Sequence, residues 1–369
     1  MKNRWLISSA LLLSVASSAQ TAVDSTQAVA MQKLLERCHA GEVLSAAIDE
    51  LIRLQGTQLI IAQQNISRRI TADQYRDVLI SACKGEAADI KPSDPGARAL
   101  KGAEGLMRDV GPSLLWGREH VGALKQRIAY ASANVNTTQV VPLAVQNLPE
   151  KIELSPKLYF VMGGRAGAAA FENAIYIDLL ADAWRSRARS SAMSPEEMTE
   201  FFAHETHHIG YGEILEKRKK ELRLSSGEEQ AWSFLTAIMM EGSATLLINA
   251  HGSWAHLAKQ DHIKADIARL PKLLAASQRV LQEALSGRMD DEKYQTPISE
   301  FLREGYHATG AWLLHVIEQV QGKSGVLRVM DDPRKLLSVY NNCATETNET
   351  FRFESAIANA VEHMGRGKH

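Results

Sequence analysis

The chain has 369 residues, of which 45% are hydrophobic and 23% are charged. This composition is ordinary for a folded globular protein and argues against a chain dominated by disorder. Its 42 Lys and Arg residues nearly balance its 43 Asp and Glu residues, which leaves a formal net charge of -1. A balanced chain has no overall field that favours nucleic acid or an anionic membrane, so neither is an expected partner.

The N-terminus has the three parts of a secretory signal peptide. Lys2 and Arg4 give a basic start, an apolar run extends from Trp5 to about Ala16, and small residues precede a cleavage site expected after Ala19. The apolar run is shorter than the roughly 18 to 20 residues that a membrane-spanning helix needs. We therefore expect a secreted or periplasmic protein with no stable membrane span; an uncleaved signal anchor is the alternative.

The chain divides into an N-terminal helical region, 20–138, and a second region, 139–369. The first has apolar residues at helical spacing and one Pro- and Gly-rich break at 91–102. Cys38 and Cys83 both fall in it. The sequence leaves open whether they form a disulfide or stay as free thiols.

A small sheet is predicted over 152–180, in a stretch whose composition changes near residue 140. "TQVVPLAVQNLPEKIELSPKLYFVMGG" is rich in β-branched residues, and "AIYIDLL" alternates at period two. The segment 163–173 connects these two strand candidates, so we expect an antiparallel pair. That segment lacks a full GxGxxG pattern, which argues against a nucleotide loop.

Helices are predicted from residue 195 to the C-terminus. Ser194, Pro195 and Glu197 form a helix start with a capping box, and this helix should run over 195–222. The next helix, 228–250, is apolar on nearly all sides and should be buried. The predicted fold class is mainly α (α+β), with one small antiparallel sheet before the helix at 195–222.

Residues 204–208 of the first of these helices read HETHH, the pattern HExxH. Side chains at positions i and i+4 lie on one helix face, so the imidazoles of His204 and His208 can point at one zinc ion. Glu205 can face a water on that ion and take its proton. A pairing of His204 with His207 is the rival, but it gives Glu205 no clear role.

A catalytic zinc usually has three protein ligands, so a third must come from elsewhere. The metzincin pattern is excluded because Tyr211 and Ile214 stand where it needs Gly and His. Glu241 is an acidic residue in the otherwise apolar helix 228–250, where an unpaired carboxylate is costly and a nearby cation removes the cost. We predict Glu241 as the third ligand of a single Zn²⁺ ion.

The HExxH pattern followed by a Glu on the next helix resembles the gluzincin group of zinc metallopeptidases. "LPEKIELSPKLYFVMGG", the "EGSA" at Glu241 and "GYHATGAWLLHVIEQVQG" are similar to bacterial families described as zinc-dependent peptidases. The similarity covers roughly residues 140–345. Gluzincins often carry Asp four residues beyond the ligand Glu to orient a histidine, and this chain has Thr245 there.

The resemblance implies a zincin-like fold and the hydrolysis of a peptide or protein substrate. Glu205 would act as general base. Tyr306 or His307 would stabilise the oxyanion, with Tyr306 as the preferred candidate. The sheet edge near Tyr159–Gly164 would pair with an extended substrate.

Two alternative functions stay open. "AAFEN" (169–173) is similar to the GxMEN segment of some aminopeptidases, which would make Glu172 the group that holds the substrate amine. The other alternative is a non-catalytic zinc-containing binding module, although such a module has no need of Glu205. A serine hydrolase is not indicated because the chain has no GxSxG.

Overall fold

The computed structural model describes residues 22–42, 45–68, 70–86, 102–164, 167–186, 192–287 and 305–366. The predicted signal peptide lies outside the described residues, as do nearly all of the Pro- and Gly-rich break and the residues just before 305.

In the described part of the chain, helices precede the sheet. They are α1 (Thr26–His39), α2 (Ser45–Arg53), α3 (Gln55–Arg68), α4 (Ala72–Lys84), α5 (Gly102–Glu119), α6 (Val121–Asn134) and α7 (Thr137–Val145). A disulfide between Cys38 and Cys83 joins the ends of α1 and α4. This settles the pairing that the sequence left open.

Helix α7 corrects one prediction, because the β-branched stretch that begins near residue 140 is helical up to Val145. Its buried residues include Val140 and Ala144, and the helix packs closely against the helix that carries the HExxH residues. Burial against a neighbouring helix therefore outweighs the strand propensity of valines and threonines.

The sheet has three strands, β1 (Lys157–Val161), β2 (Ala168–Phe171) and β3 (Ala174–Asp178), in the order β1-β3-β2. Strand β1 pairs with β3 in parallel, and β2 pairs with β3 antiparallel. The prediction of an antiparallel pair for the two flanking strands is therefore wrong, and the sheet is mixed. The reason is that the connecting segment itself contains β2, which forms the hairpin with β3 through a turn at Glu172 and Asn173.

Further helices follow the sheet in the described residues. They are α8 (Leu179–Ser186), α9 (Pro195–Lys220), α10 (Ser226–Ala244) with a π-helical turn (Thr245–Asn249), α11 (Trp254–Leu257), α12 (Asp261–Ile267), α13 (Leu270–Leu285), α14 (Tyr306–Asp331), a 3₁₀ turn (Pro333–Lys335), α15 (Leu336–Glu346) and α16 (Ser355–Glu362). The predicted fold class, mainly helical with one small sheet, is confirmed.

Helix α9 lies between two hydrophobic cores. The N-terminal core packs the helices before the sheet and the sheet itself against Met198 and Phe202 of α9. The C-terminal core packs α10 and α13 to α16 against Tyr211, Ile214 and Leu215 of α9. The residues between these two sets include the HExxH pattern, so the histidines lie where the two cores meet. The sheet packs with the N-terminal core, although the sequence grouped it with the region after residue 138.

Helices α10 and α14 cross with their backbones in contact. A Cβ added to Gly310 would lie 2.1 Å from the carbonyl oxygen of Ile238, and one added to Gly242 would lie 2.3 Å from the carbonyl carbon of Gly310. Only glycine fits at both positions. This close crossing brings Glu241, next to Gly242, toward the first turn of α14.

The segment Ser226–Asn249 is long and apolar enough to cross a membrane by itself. Within the protein, 78% of its most apolar 18-residue stretch is buried. That burial is what a core helix of a large helical protein shows.

Candidate active site

The helix that carries the HExxH residues starts as predicted. Ser194 accepts a hydrogen bond from the backbone N–H of Glu197 at 3.1 Å, and the Glu197 carboxylate accepts one from the backbone N–H of Ser194 at 2.6 Å. This capping box fixes the first turn of α9, and the helix then continues for 26 residues without a break.

The structure brings together the three side chains predicted as metal ligands. The Glu241 Oε2 atom lies 3.5 Å from His204 Nε2 and 3.3 Å from His208 Nε2. The two imidazole rings stand edge to face, with their centroids 4.6 Å apart. Neighbouring turns of α9 thus aim two ring nitrogens at one carboxylate oxygen on α10.

These distances fit a divalent metal ion. Four ligands at about 2.0–2.2 Å from a tetrahedral zinc place neighbouring donor atoms roughly 3.3–3.5 Å apart. The Nε2 to Oε2 distances of 3.5 and 3.3 Å match that separation. Two imidazoles and one carboxylate are also a donor set that catalytic zinc takes, with a fourth position left for water.

The same three groups form a tight charge cluster. Burial opposes the charged form of His208, but the carboxylates of Glu241 and Glu205 outweigh it and raise its pKa to about 9. Burial also opposes the charged form of Glu241, but His208, His307 and His204 hold its pKa well below the usual value. Protons and a metal ion therefore compete for the same atoms.

Glu205 faces the sheet. Burial raises the pKa of its carboxyl group, and the nearby imidazoles of His208 and His204 oppose that shift. The backbone N–H of Ala170, in β2, donates a hydrogen bond to the same carboxylate. Glu205 thus sits between the two histidines on its own helix and the outer strand of the sheet.

His207 is not part of the cluster. It is fully buried, its Nδ1 lies 2.9 Å from the carbonyl oxygen of Ala144, and its Nε2 lies 2.9 Å from the hydroxyl of Ser243. Burial lowers the pKa of His207 to about 3. With both ring nitrogens engaged, His207 ties α9 to α7 and α10, and the rival pairing with His204 does not form.

Of the two predicted oxyanion donors, the structure brings His307 to the cluster. Its Nδ1 lies 3.3 Å from Glu241 Oε2, and its side chain is 48% exposed. Tyr306 is 1% exposed, and its ring packs edge to face against Phe234 in the C-terminal core. A fully buried side chain offers a substrate no surface, which disfavours Tyr306, the donor preferred from the sequence.

Two polar side chains of the π-helical turn were missed as site residues by sequence reasoning. The Asn249 Oδ1 atom lies 2.6 Å from His204 Nδ1, and the Thr245 hydroxyl lies 2.9 Å from His307 Nδ1. The available signal was one amide, Asn249, at the end of the apolar run LLIN. The sequence analysis noted only that Thr245 stands where gluzincins often carry Asp, and it named no acceptor for either histidine.

The sheet edge predicted to bind substrate is partly covered by another segment of the chain. The outer side of β1 is bridged by Asp24, whose N–H donates to Leu158 and whose carbonyl accepts from Phe160, both at 2.9 Å. The other outer strand is β2, and it packs against α9. An N-terminal segment thus covers the edge that the sequence proposed, while β2 borders the histidine cluster.

Glu172, the residue proposed to hold a substrate amine, lies in the turn between β2 and β3. It is exposed and has a left-handed backbone with φ 52°. A short polar turn explains its position without a ligand.

The fold and the cluster define a class of protein: a mainly helical chain whose HExxH helix and following helix aim two imidazoles and a carboxylate at one point, as metal-dependent hydrolases do. The chain belongs to the family described as "putative zinc dependent peptidase (DUF5700)", which matches residues 48–349. No curated protein and no solved structure matches the chain. All residues of the cluster lie inside the matched part.

Proposed function

We propose that the protein is an exported zinc metallopeptidase of the gluzincin type, with His204, His208 and Glu241 as ligands of one zinc ion. The observation that carries this proposal is the convergence of the two Nε2 atoms on Glu241 Oε2 at 3.5 and 3.3 Å. When bound there, zinc supplies a Lewis acid that activates water for hydrolysis.

Glu205 is the proposed general base. Its carboxylate lies beside both histidines, and its raised pKa suits a group that takes a proton from water and returns it to the leaving nitrogen. A binding module would need the three ligands but would not need a partly buried carboxylate at position 205.

His307 is the proposed donor to the oxyanion. Its imidazole lies beside Glu241, is half exposed, and is held on one nitrogen by Thr245. A positioned donor at the place where negative charge develops contributes more than the same group in water.

We propose that an extended substrate binds along the edge of β2 that does not pair with β3. The Ala170 N–H donates to Glu205 and so points away from β3. Because backbone groups alternate along a strand, those of Ala168 point the same way. An extended peptide added to this edge would lie next to Glu205 and the zinc ligands.

The experiment compares zinc content and peptide cleavage in the mature protein and in Glu205→Gln. We expect about one zinc per chain in both, cleavage of an unstructured peptide library by the wild type, and a loss of cleavage of at least about 10²-fold in the variant. Glu213→Gln is the matched control, because Glu213 is an exposed residue on the same helix. It should keep both zinc and activity.

The alternatives give different results in the same experiment. Zinc without cleavage of any peptide would favour the binding module. Products shortened only from the N-terminus, together with a loss of that activity in Glu172→Gln, would favour an aminopeptidase. A wild type without stoichiometric metal would rule out the proposal.

A further inference from the structure

We propose that Asn249, carried into place by the π-helical turn Thr245–Asn249, is the positioning residue that fixes the ring of His204 for metal binding. This inference rests on the proposed function. It assigns to a neutral amide, eight residues beyond Glu241, the task that gluzincins often give to an Asp four residues beyond.

A hydrogen bond holds the ring of His204. The Asn249 Oδ1 atom lies 2.6 Å from His204 Nδ1, while His204 Nε2 faces Glu241 Oε2 at 3.5 Å. A neutral imidazole that binds metal through Nε2 carries its proton on Nδ1, so its partner must be an acceptor. The amide oxygen of Asn249 is such an acceptor, and it selects the tautomer whose Nε2 lone pair points at the metal position.

The geometry of the π-helical turn brings Asn249 to this ring. In a regular α-helix, eight residues leave the last side chain about 80° around the axis from the first. Here the Ala250 N–H donates to the Thr245 carbonyl at 3.0 Å, an i→i+5 bond. Such a wider turn advances less than about 100° per residue, which swings Asn249 back toward the face of Glu241. One imidazole can then contact both side chains.

Position 245 contacts a different histidine. Thr245 is four residues beyond Glu241, and its hydroxyl lies 2.9 Å from His307 Nδ1. It contacts the ring of His307 on α14, while Asn249 contacts the ring of His204 on α9. The π-helical turn therefore gives each of these histidines its own polar partner.

The two proposed ligand histidines differ in the contacts of their Nδ1 atoms. The Nδ1 atom of His208 is buried and has no hydrogen-bond partner among the residues that the structure describes. Of the two rings, His204 is thus the one whose orientation a side chain fixes. Removing that side chain leaves both rings without a polar partner on Nδ1, and the metal site loses its positioned ligand.

The test uses variants that change the acceptor and keep the size. Asn249→Leu removes the acceptor with little change in volume, and Asn249→Asp keeps it. We expect the affinity of the metal-free protein for Zn²⁺, measured by competition with a chelator, to fall about 10- to 100-fold in Asn249→Leu. Asn249→Asp should bind Zn²⁺ at least as tightly as the wild type.

A second readout follows the tautomer directly. With zinc bound, ¹⁵N NMR of histidine-labelled protein should show the His204 proton on Nδ1 in the wild type and in Asn249→Asp. Asn249→Leu should lose this hydrogen-bonded proton signal. A merely structural role for Asn249 would not make the signal depend on an acceptor at this position.

The matched control is Asn147→Leu. The Asn147 side chain donates to the carbonyl of Leu247, inside the same π-helical turn, at 3.5 Å. This variant removes one side-chain hydrogen bond at the turn but keeps the Ala250–Thr245 bond and the Asn249 side chain, so its Zn²⁺ affinity should stay within about twofold of the wild type.

Two results would overturn the inference while leaving the proposed function intact: equal Zn²⁺ affinity in Asn249→Leu and the wild type, or an equal loss in Asn249→Leu and Asn147→Leu. A wild type that does not bind Zn²⁺ at all would instead contradict the proposed function.

Discussion

The two cores that meet along α9 hold it in different ways. The N-terminal core combines several short helices with the sheet and is crossed by the Cys38–Cys83 disulfide. The C-terminal core is built on helix crossings, the closest of which places the backbones of α10 and α14 in contact at Gly242 and Gly310. A disulfide links two helices of the N-terminal core, whereas two glycines allow two helices of the C-terminal core to pack backbone against backbone.

This difference separates two tasks. His307 and Glu241 come from α14 and α10, the helices whose crossing lies in the C-terminal core. The N-terminal core contributes the Ala170 N–H, which contacts Glu205 from the sheet. The C-terminal core thus places Glu241 beside His307, and the N-terminal core places the strand that contacts Glu205.

Removing the disulfide should have the largest effect, and only on stability. The Cys38–Cys83 link closes a loop with a sequence separation of 45 residues. Replacing both cysteines by Ala frees this loop in the unfolded chain, so we expect a loss of about 4 kcal/mol in the free energy of unfolding. Urea denaturation measures it. Zn²⁺ affinity should be unchanged, because none of the proposed ligands lies in α1 or α4, the helices that the disulfide joins.

Cys343→Ala serves as the comparison for this variant, because it removes a buried sulfur of the C-terminal core without opening a loop. It should cost about 1 kcal/mol. Equal losses in the two proteins would mean that packing, and not the covalent link, stabilises the N-terminal core.

His307→Ala should affect turnover and little else. The ring is half exposed and lies beside Glu241, so its loss leaves the core packed. We expect kcat to fall about 10²- to 10³-fold, as for other removed oxyanion donors. Tyr306→Phe should keep kcat within about threefold, since the Tyr306 ring packs inside the C-terminal core. The opposite ranking in steady-state peptide cleavage would return the donor role to Tyr306.

Gly310→Ala should damage stability and the metal site together. The added Cβ would lie 2.1 Å from the Ile238 carbonyl, and a backbone atom cannot turn away as a side chain can. We expect a loss of about 1–3 kcal/mol in unfolding free energy. Because the strain separates α10 from α14, Zn²⁺ affinity should fall as well, in contrast to the disulfide variant.

Gly212→Ala is the control on α9. The nearest atom to its added Cβ is Met240 Cε at 4.0 Å, so the methyl group fits. This variant should gain about 0.5–1 kcal/mol from the better helix former. If Gly310→Ala were tolerated equally well, the close crossing would not be what sets the ligand positions.

The meeting of the three proposed ligands could be predicted from the sequence, because the spacing of the two histidines is local. His204 and His208 are one helical turn apart whatever surrounds them, and the capping box at Ser194 fixes where that helix begins. Glu241 stood out because a carboxylate in an apolar helix needs a partner. These inferences need only helix periodicity and the cost of burying charge.

The parts that could not be predicted depend on contacts between distant segments. The side chain of Asn249 reaches His204 only because the helix widens into a π-helical turn. No residue pattern in the sequence predicted this turn. Helix α7 forms from strand-like residues because it packs on α9. The outer edge of β1 is covered because residue 24, far away in the sequence, pairs with it.

The last prediction is a pH dependence of stability that comes from Glu200, one turn before His204. Burial raises the pKa of its carboxyl group from 4.5 to about 7. The nearby carboxylates of Glu196 and Glu197 also raise the pKa, and the imidazole of His251 opposes the shift. The folded state then binds this proton more tightly than the unfolded chain, so the stabilisation is complete below about pH 4.5 and is lost as the pH rises to about 7. The wild type should lose up to about 1.4 kcal/mol per pH unit in this window. In Glu200→Gln this slope should disappear, as urea denaturation at several pH values would show. Parallel stability curves for the two proteins would contradict it.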